Sequence, residues 1–110
     1  MTEAAEGEID SALEYLLLRS PDAARDFQDG MDEAILSLSE MPRRCQLAPE
    51  YGIITRPLRQ LIYRYGRTVY RILFTIYEAE GDASASVRVL RVLHGSQQQL
   101  GPLIDDTDED

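Results

Sequence analysis

The stretch of sequence that decides the fold is TVYRILFTIYE, residues 68–78. A period of two residues is typical of a β-strand, in which successive side chains point to opposite faces of a sheet. The pattern therefore predicts a strand between two differently lined faces. One face carries Tyr70, Ile72, Phe74 and Ile76, and the other carries Arg71, Leu73, Thr75 and Tyr77.

Two more strands are predicted on either side of this stretch. Residues 58–65 are rich in β-branched and aromatic side chains and end at Gly66-Arg67, and residues 87–94 follow a turn of small residues after Gly81-Asp82. Short connections between successive strands predict an antiparallel meander. Strict alternation in the third strand places Arg88, Leu90, Val92 and His94 on one face and Val87, Val89, Arg91 and Leu93 on the other.

Helical spacing dominates the sequence before residue 42. A first helix is predicted from Glu8 to Arg19, with residues 1–7 frayed, and Ser20-Pro21-Asp22 stops it and begins a second helix that runs to about Glu40. Gly30 weakens this second helix without breaking it. The predicted stripes are Ile9, Ala12, Leu13, Leu16 and Leu17 in the first helix, and Ala24, Phe27, Met31, Ala34, Ile35 and Leu38 in the second.

These elements predict an α+β fold, in which an N-terminal helical hairpin packs on one face of a three- to four-stranded antiparallel sheet. The chain has 110 residues, which is the length of one domain. We assign residues 1–98 to that domain. The segment 99–110 ends in the acidic run DDTDED and is expected to be disordered, because its charges repel one another.

The distribution of charge is more informative than its total. The formal net charge is −9, but residues 1–42 carry −9, residues 43–91 carry +5 and residues 92–110 carry −5. Every basic residue is an arginine. A guanidinium group binds carboxylate or phosphate through two parallel hydrogen bonds, so the middle of the chain is expected to recognise one of these groups.

Several kinds of site are excluded by composition. One cysteine, Cys45, and one histidine, His94, supply neither a disulfide framework nor a metal site, and there is no glycine-rich phosphate loop. We therefore expect no metal and no cofactor. No apolar run of about 18 residues and no basic leader followed by an apolar run is present, which predicts a cytoplasmic protein that does not enter a membrane.

Arginines and tyrosines interleave in the predicted strands, as is typical of surfaces that bind RNA or protein. The alternative is that the arginines solvate the sheet and the tyrosines pack within it. Arg71 and His94 are the weak candidates for catalysis, although His94 can equally shape the turn at Gly95. The candidates for binding a target or an antitoxin are Arg59, Arg64, Arg67, Arg71, Arg91, Tyr63 and Tyr65.

The order of these motifs resembles the RelE/ParE toxin superfamily, and its ParE-like branch most. The resemblance is carried by SPDAARDF at residues 20–27, RQLIYRY at 59–65, VYRILFTI at 69–76 and VRVLRVLHG at 87–95, and it extends from about Ile9 to Gln98. It implies a curved antiparallel sheet with two helices on one side. It also implies that the chain is the toxin of a type II toxin–antitoxin (plasmid stabilisation) module and that a cognate antitoxin neutralises it. The toxin is then expected to form a homodimer, or a heterotetramer with the antitoxin.

Three departures from the superfamily pattern bear on the target. The acidic residues 1–8 do not form the usual first strand, which leaves an open sheet edge that invites pairing with another chain. Gln97 stands where the ribonuclease members have an arginine, and no aromatic residue follows Tyr77. The last two departures favour a ParE-like inhibitor of DNA gyrase without a catalytic site. One alternative is a RelE-type endonuclease that cuts messenger RNA on the ribosome, with Arg71 and His94 as the candidate groups. The other is a non-toxic interaction protein of the same fold, which the absent first strand and the negative net charge favour.

Overall fold

The computed structural model describes residues 1–49, 57–78 and 85–94. Two helices, α1 (Glu3–Arg19) and α2 (Pro21–Ser37), precede a short 3₁₀ helix at Pro42–Arg44. Three strands follow, β1 (Arg59–Tyr65), β2 (Thr68–Glu78) and β3 (Ala85–His94). The α+β prediction is confirmed. None of the helices in these ranges has the length and apolar character needed to cross a membrane.

Ser20 forms the corner of the helical hairpin. Its backbone N–H donates to the carbonyl of Leu16 at 2.7 Å, and its hydroxyl accepts from the N–H of Ala23 at 3.2 Å. One residue therefore closes α1 and caps α2, as predicted. The end of α2 was placed about three residues too late, because Leu38 forms the cap after Ser37 and is drawn into the core.

The start of α1 differs from its prediction. The helix begins at Glu3 instead of Glu8, and the prediction that residues 1–7 are frayed is wrong. Thr2 is only 8% exposed, and it caps the helix by accepting from the N–H of Ala5 at 3.1 Å. Its N–H also donates to the carbonyl of Val89 at 3.0 Å. Contact with a strand far along the chain therefore orders a segment whose composition favours disorder.

The predicted apolar stripe is correct for α2 and partly correct for α1. Every predicted member in α2 is buried or packed against the core. In α1, Ile9 is buried, and Ala12, Leu13 and Leu16 are packed against the core, but Leu17 is 54% exposed. Leu17 was therefore wrongly assigned, because the buried face of α1 turns away from it towards β3.

The sheet is an antiparallel meander in the order β1-β2-β3, as predicted. Tyr63 lies opposite Tyr70 on the face towards the helices, and Ile62 lies opposite Arg71 on the other face, which we call the outer face. The face assignment for β2 is confirmed: Ile72 and Phe74 join the helix-side core, whereas Leu73 belongs to a separate cluster.

Strict alternation in β3 was the wrong expectation. The register shifts between Leu73 and Phe74, which lie opposite Arg91 and Val89, so Leu90 is an extra residue in β3. Such a bulge reverses the alternation beyond it. Val89 and Val92 consequently share the helix-side core, and Leu90 joins Leu93 in the outer cluster.

The hydrophobic core therefore has two parts. The larger lies between the helices and the sheet and centres on Phe27, Met31, Leu38, Ile72 and Phe74. The smaller lies on the outer face, where Ala48 and Leu58 cover Leu73, Leu90 and Leu93. Among the described residues, this second cluster leaves the end of the sheet near the β1–β2 turn available for a site on the outer face.

Candidate functional site

A groove runs across the uncovered end of the outer face, and we call it the arginine groove. It encloses about 520 Å³. The antiparallel register brings side chains from the middle of β1 and the start of β2 to one side, and the β1–β2 turn and the end of β3 close it. The lining residues are Pro49, Gln60, Ile62, Arg67, Thr68, Val69, Arg71 and His94.

Arg71 lies in the arginine groove, on the face that the alternation of β2 predicted. Its Nε donates to Oε1 of Gln60 at 3.0 Å across the β1–β2 pair. A hydrogen bond through Nε orients the guanidinium plane within the groove. Gln60 was not singled out from the sequence, because the register that places it beside Arg71 is a tertiary property.

Arg64 and Arg67 carry the charge that is most accessible at this end of the sheet. Both side chains are exposed, and neither has a polar partner within the described part of the chain. Arg64 follows Ile62 on the outer face of β1, and Arg67 lies in the turn after Gly66, whose φ of 60° suits a residue without a Cβ.

Arg59 and Arg91 lie elsewhere and have internal partners. Nη1 of Arg59 donates to the carbonyl of Cys45 at 2.7 Å, which ties the segment after α2 to the start of β1. Nε of Arg91 donates to Oε2 of Glu8 at 2.8 Å. The structure therefore brings Arg67 and Arg71 into one groove, with Arg64 on the same face, but separates Arg59 and Arg91 from them.

Tyr63 and Tyr65 face the helices. Their hydroxyls donate to the carbonyls of Phe27 at 3.1 Å and of Ala23 at 3.0 Å in α2, so both rings join β1 to the helical layer. Burial raises the pKa of Tyr63 above its ordinary value, and the neighbouring Tyr65 adds to the rise. Burial likewise raises the pKa of Tyr70.

His94 ends β3 and lines grooves on both sides of the sheet. Its ring is 5.6 Å from that of Tyr70, in an edge-to-face arrangement. It lines the arginine groove and also a second groove of about 740 Å³ between α1 and the sheet, which Leu16 and Tyr65 help to form. Gln97, the position at issue in the ribonuclease pattern, lies outside the described residues, as does the segment 99–110.

Glu8 is a residue of structural importance that sequence reasoning missed. One carboxylate oxygen, Oε1, accepts from the backbone N–H of Val92 at 2.7 Å, and the other pairs with Arg91. Nothing in the local sequence marks this role, because 84 positions separate Glu8 from Val92. Together with Thr2, Glu8 fastens the start of α1 to the edge of β3.

The chemistry available on the outer face is cationic recognition. Arg64, Arg67 and Arg71 present guanidinium groups near the apolar Ile62 and Val69. Such a combination binds phosphate or carboxylate oxygens together with an apolar or planar group. Within residues 1–49, 57–78 and 85–94, no three side chains of the His, Cys, Asp or Glu type converge as a metal ion would need.

Comparison with known families gives a match over most of the chain. A family model described as the ParE toxin of type II toxin-antitoxin system, parDE, matches residues 1–99. The matched range contains both helices, all three strands and every residue that lines the arginine groove. No curated protein matches the chain, and no solved structure matches it.

Proposed function

This chain belongs to the ParE toxin family of type II toxin–antitoxin systems, and we propose that it inhibits DNA gyrase and is neutralised by a cognate antitoxin. The family match supports the toxin role and implies an antitoxin partner. The gyrase target is the more specific part of the proposal. It rests on the resemblance of the strand motifs to the ParE-like branch. We further propose that the protein acts in the cytoplasm and assembles with the antitoxin as a heterotetramer.

The observation that carries a binding role is the accessible charge at the β1–β2 end of the sheet. Arg64 and Arg67 have no polar partner among the described residues, whereas Arg59 and Arg91 do. Unpartnered guanidinium groups at a surface favour recognition of an acidic partner, because no internal interaction has to be broken first.

The test is a supercoiling assay with purified gyrase and this protein, freed from its antitoxin. We expect supercoiling to fall as the protein is added, and to recover when the antitoxin encoded by the adjoining reading frame is added. Topoisomerase I relaxation of the same plasmid is the control for nonspecific interference. Gyrase activity that stays unchanged at high protein concentration would remove the gyrase target while leaving the family assignment intact.

A second candidate, messenger RNA cleavage on the ribosome, has one specific observation in its favour. Arg67, Arg71 and His94 line a single groove, and this set combines guanidinium groups that can bind a phosphodiester with an imidazole that can act as a general acid or base. In a reconstituted translation assay, Arg71→Ala should then abolish cleavage while Arg25→Ala, an exposed arginine on α2, leaves it unchanged. Absence of cleavage by the unaltered protein rejects this candidate.

The third alternative, an interaction protein without toxicity, makes the opposite prediction in living cells. Induction of this chain alone should stop growth if it is a toxin, and co-induction of the adjoining reading frame should restore growth. Unimpaired growth at a verified level of folded protein would favour the non-toxic alternative.

A further inference from the structure

The groove between α1 and the sheet, which we call the helix-side groove, is larger than the arginine groove on the outer face, about 740 Å³ against about 520 Å³. Its walls are mainly apolar or aromatic, and they include Ala12, Leu16, Tyr65, Tyr70 and Val92. All of these except Val92 are only half-buried. Within residues 1–49, 57–78 and 85–94, no segment fills this space. A groove of this size and lining is the usual setting for binding an apolar group.

Arg67 gives the helix-side groove a cationic rim. It lies in the β1–β2 turn and lines both grooves, and its exposed guanidinium group has no polar partner in the described part of the chain. Glu8, which also lines the helix-side groove, is already paired with Arg91. The groove therefore suits a segment that combines apolar side chains with carboxylates.

His94 connects this groove to the part of the chain that follows. It is the last residue of β3, and it lines the groove. Leu100 lies six residues beyond it, and six extended residues span about 20 Å. The stretch of α1 from Glu8 to Leu16, which forms one wall, rises only about 12 Å. A segment that begins at Leu100 can therefore reach every part of the groove.

The segment after Gln99 has the composition that such a groove binds. Residues 100–104, LGPLI, contain three large apolar side chains, and residues 105–110, DDTDED, carry five carboxylates. Transfer of leucine and isoleucine side chains out of water is favourable. A segment tethered this closely has an effective concentration on the order of millimolar, so even a weak contact forms. Pro102 lowers the entropy that the free segment loses on binding.

We propose that residues 100–104 bind in the helix-side groove of their own chain, with their apolar side chains against Leu16 and Tyr70, and that residues 105–110 lie beside Arg67. The disorder expected of residues 99–110 is then limited to their acidic end. Bound in this way, the tail competes with any acidic partner for Arg67. The inference is independent of the proposed function, since both sides of the contact belong to this chain.

The test is a spin label in the acidic end of the full-length protein. Thr107→Cys carries the label without changing a charge, and Cys45→Ala, at a buried position, prevents a second attachment. In NMR spectra of the free protein, we expect the label to broaden the backbone signals of Leu16 and Arg67. The signal of Val87, at the opposite end of β3 from His94, should stay sharp and serves as the internal control.

Variants separate the apolar contact from the charged one. Leu103→Ser combined with Ile104→Ser keeps the charge, and it should weaken docking at least about tenfold and remove most of the broadening at Leu16. Arg67→Glu should weaken docking about twofold to fivefold. Arg25→Glu makes the same change in net charge at an exposed position of α2 outside the groove, and it should leave the broadening unchanged.

Broadening at Leu16 that does not change on dilution and is lost in the double serine variant supports the proposal. Absence of broadening at Leu16 overturns it. Broadening that persists in the double serine variant also overturns it, because charge alone then holds the tail. Broadening that depends on protein concentration assigns the groove to the tail of a second copy and likewise overturns it. None of these measurements contains an antitoxin or a target, so the proposed function is tested separately.

Discussion

The hydroxyl of Thr2 donates a hydrogen bond to the carbonyl oxygen of Leu90, 2.6 Å away and 88 positions further along the chain. The Thr2 hydroxyl oxygen also accepts from the N–H of Ala5, so one side chain caps α1 and fastens it to β3. The bond reaches the extra residue of the bulge, where a strand carbonyl is released from regular pairing. The first turn of α1 and the irregular part of β3 therefore stabilise each other.

Replacement of Thr2 by valine should test this relationship, because valine has a similar shape and no hydroxyl. We expect the free energy of unfolding to fall by about 1–3 kcal/mol, since a helix cap and a buried hydrogen bond are lost together. Urea unfolding followed by circular dichroism measures the change. Thr2→Ser keeps the hydroxyl and should retain most of the stability. A valine variant as stable as the original would contradict the role assigned to this bond.

Substitution of the two helical glycines by alanine should have opposite effects. Helix propensity favours alanine by about 1 kcal/mol at either position. At Gly30, however, a Cβ would collide with the hydroxyl of Tyr63 and lie 2.9 Å from its Cζ. The Tyr63 ring cannot move freely, because its hydroxyl is bonded to Phe27 and its ring packs against that side chain.

We therefore expect Gly30→Ala to destabilise the protein by about 1–3 kcal/mol, the usual cost of overpacking. Gly7→Ala is the matched control, since no atom lies within 4 Å of the added Cβ, and it should stabilise the protein by about 0.5–1 kcal/mol. Chemical unfolding of both variants measures the difference. A gain of stability in Gly30→Ala would show that Tyr63 can move away from α2 without loss.

Removal of the Glu8 carboxylate should destabilise the protein more than removal of its partner Arg91. Glu8→Ala loses the ion pair and also leaves the N–H of Val92 without its acceptor, whereas Arg91→Ala loses only the pair. We expect about 1–3 kcal/mol for Glu8→Ala and less for Arg91→Ala, since both side chains are partly exposed.

The same variant should also change the association state, because it uncovers the edge of β3. Size-exclusion chromatography over a range of concentrations should show self-association of Glu8→Ala. Glu14→Ala, which removes an exposed carboxylate from the same helix, should leave both stability and association unchanged. A monodisperse Glu8→Ala protein would indicate that Thr2 alone suffices to cover this edge.

Alkaline pH should destabilise the fold through the partly buried side chains of Tyr63 and Tyr70. Burial raises the pKa of Tyr63 and of Tyr70 above 10.0, their ordinary value. Above that pH the unfolded chain has lost protons that the folded protein still holds, so the free energy of unfolding falls as pH rises. Below it, both states keep the proton and these groups contribute no pH dependence.

Urea unfolding at a series of pH values from neutral to above 10 measures this effect. Tyr63→Phe should be less stable at neutral pH, because its bond to Phe27 is lost, but its stability should fall less steeply above pH 10. Equal slopes for the original protein and for Tyr63→Phe would contradict an elevated pKa of Tyr63 in the folded state.

The fold was predictable wherever local chemistry and periodicity agree. The alternation from Tyr70 to Ile76 identified β2 and its faces, and Ser20-Pro21 identified the helical corner. Arg71 was placed on the correct face for the same reason. These features depend on side-chain period and capping, which a short segment carries within itself.

The contacts that complete the molecule were not predictable in this way, because each joins residues far apart in the chain. Local propensity alone implied a frayed start before Glu8, but Thr2 and Glu8 are ordered by β3. A bulge at Leu90 places Val92 and Leu93 on the faces opposite to those predicted. A strict two-residue alternation in the sequence does not reveal an extra residue in one strand.

The sequence by itself determined the types of element, their order, and a supply of arginines in the strands. Only the tertiary structure decided which arginines form internal contacts, as Arg59 and Arg91 do, and which stay accessible, as Arg64 and Arg67 do. The physical reason is that a residue's position in the period of its strand or helix sets the face on which its side chain lies. The partner of that side chain depends on which distant segment packs beside it.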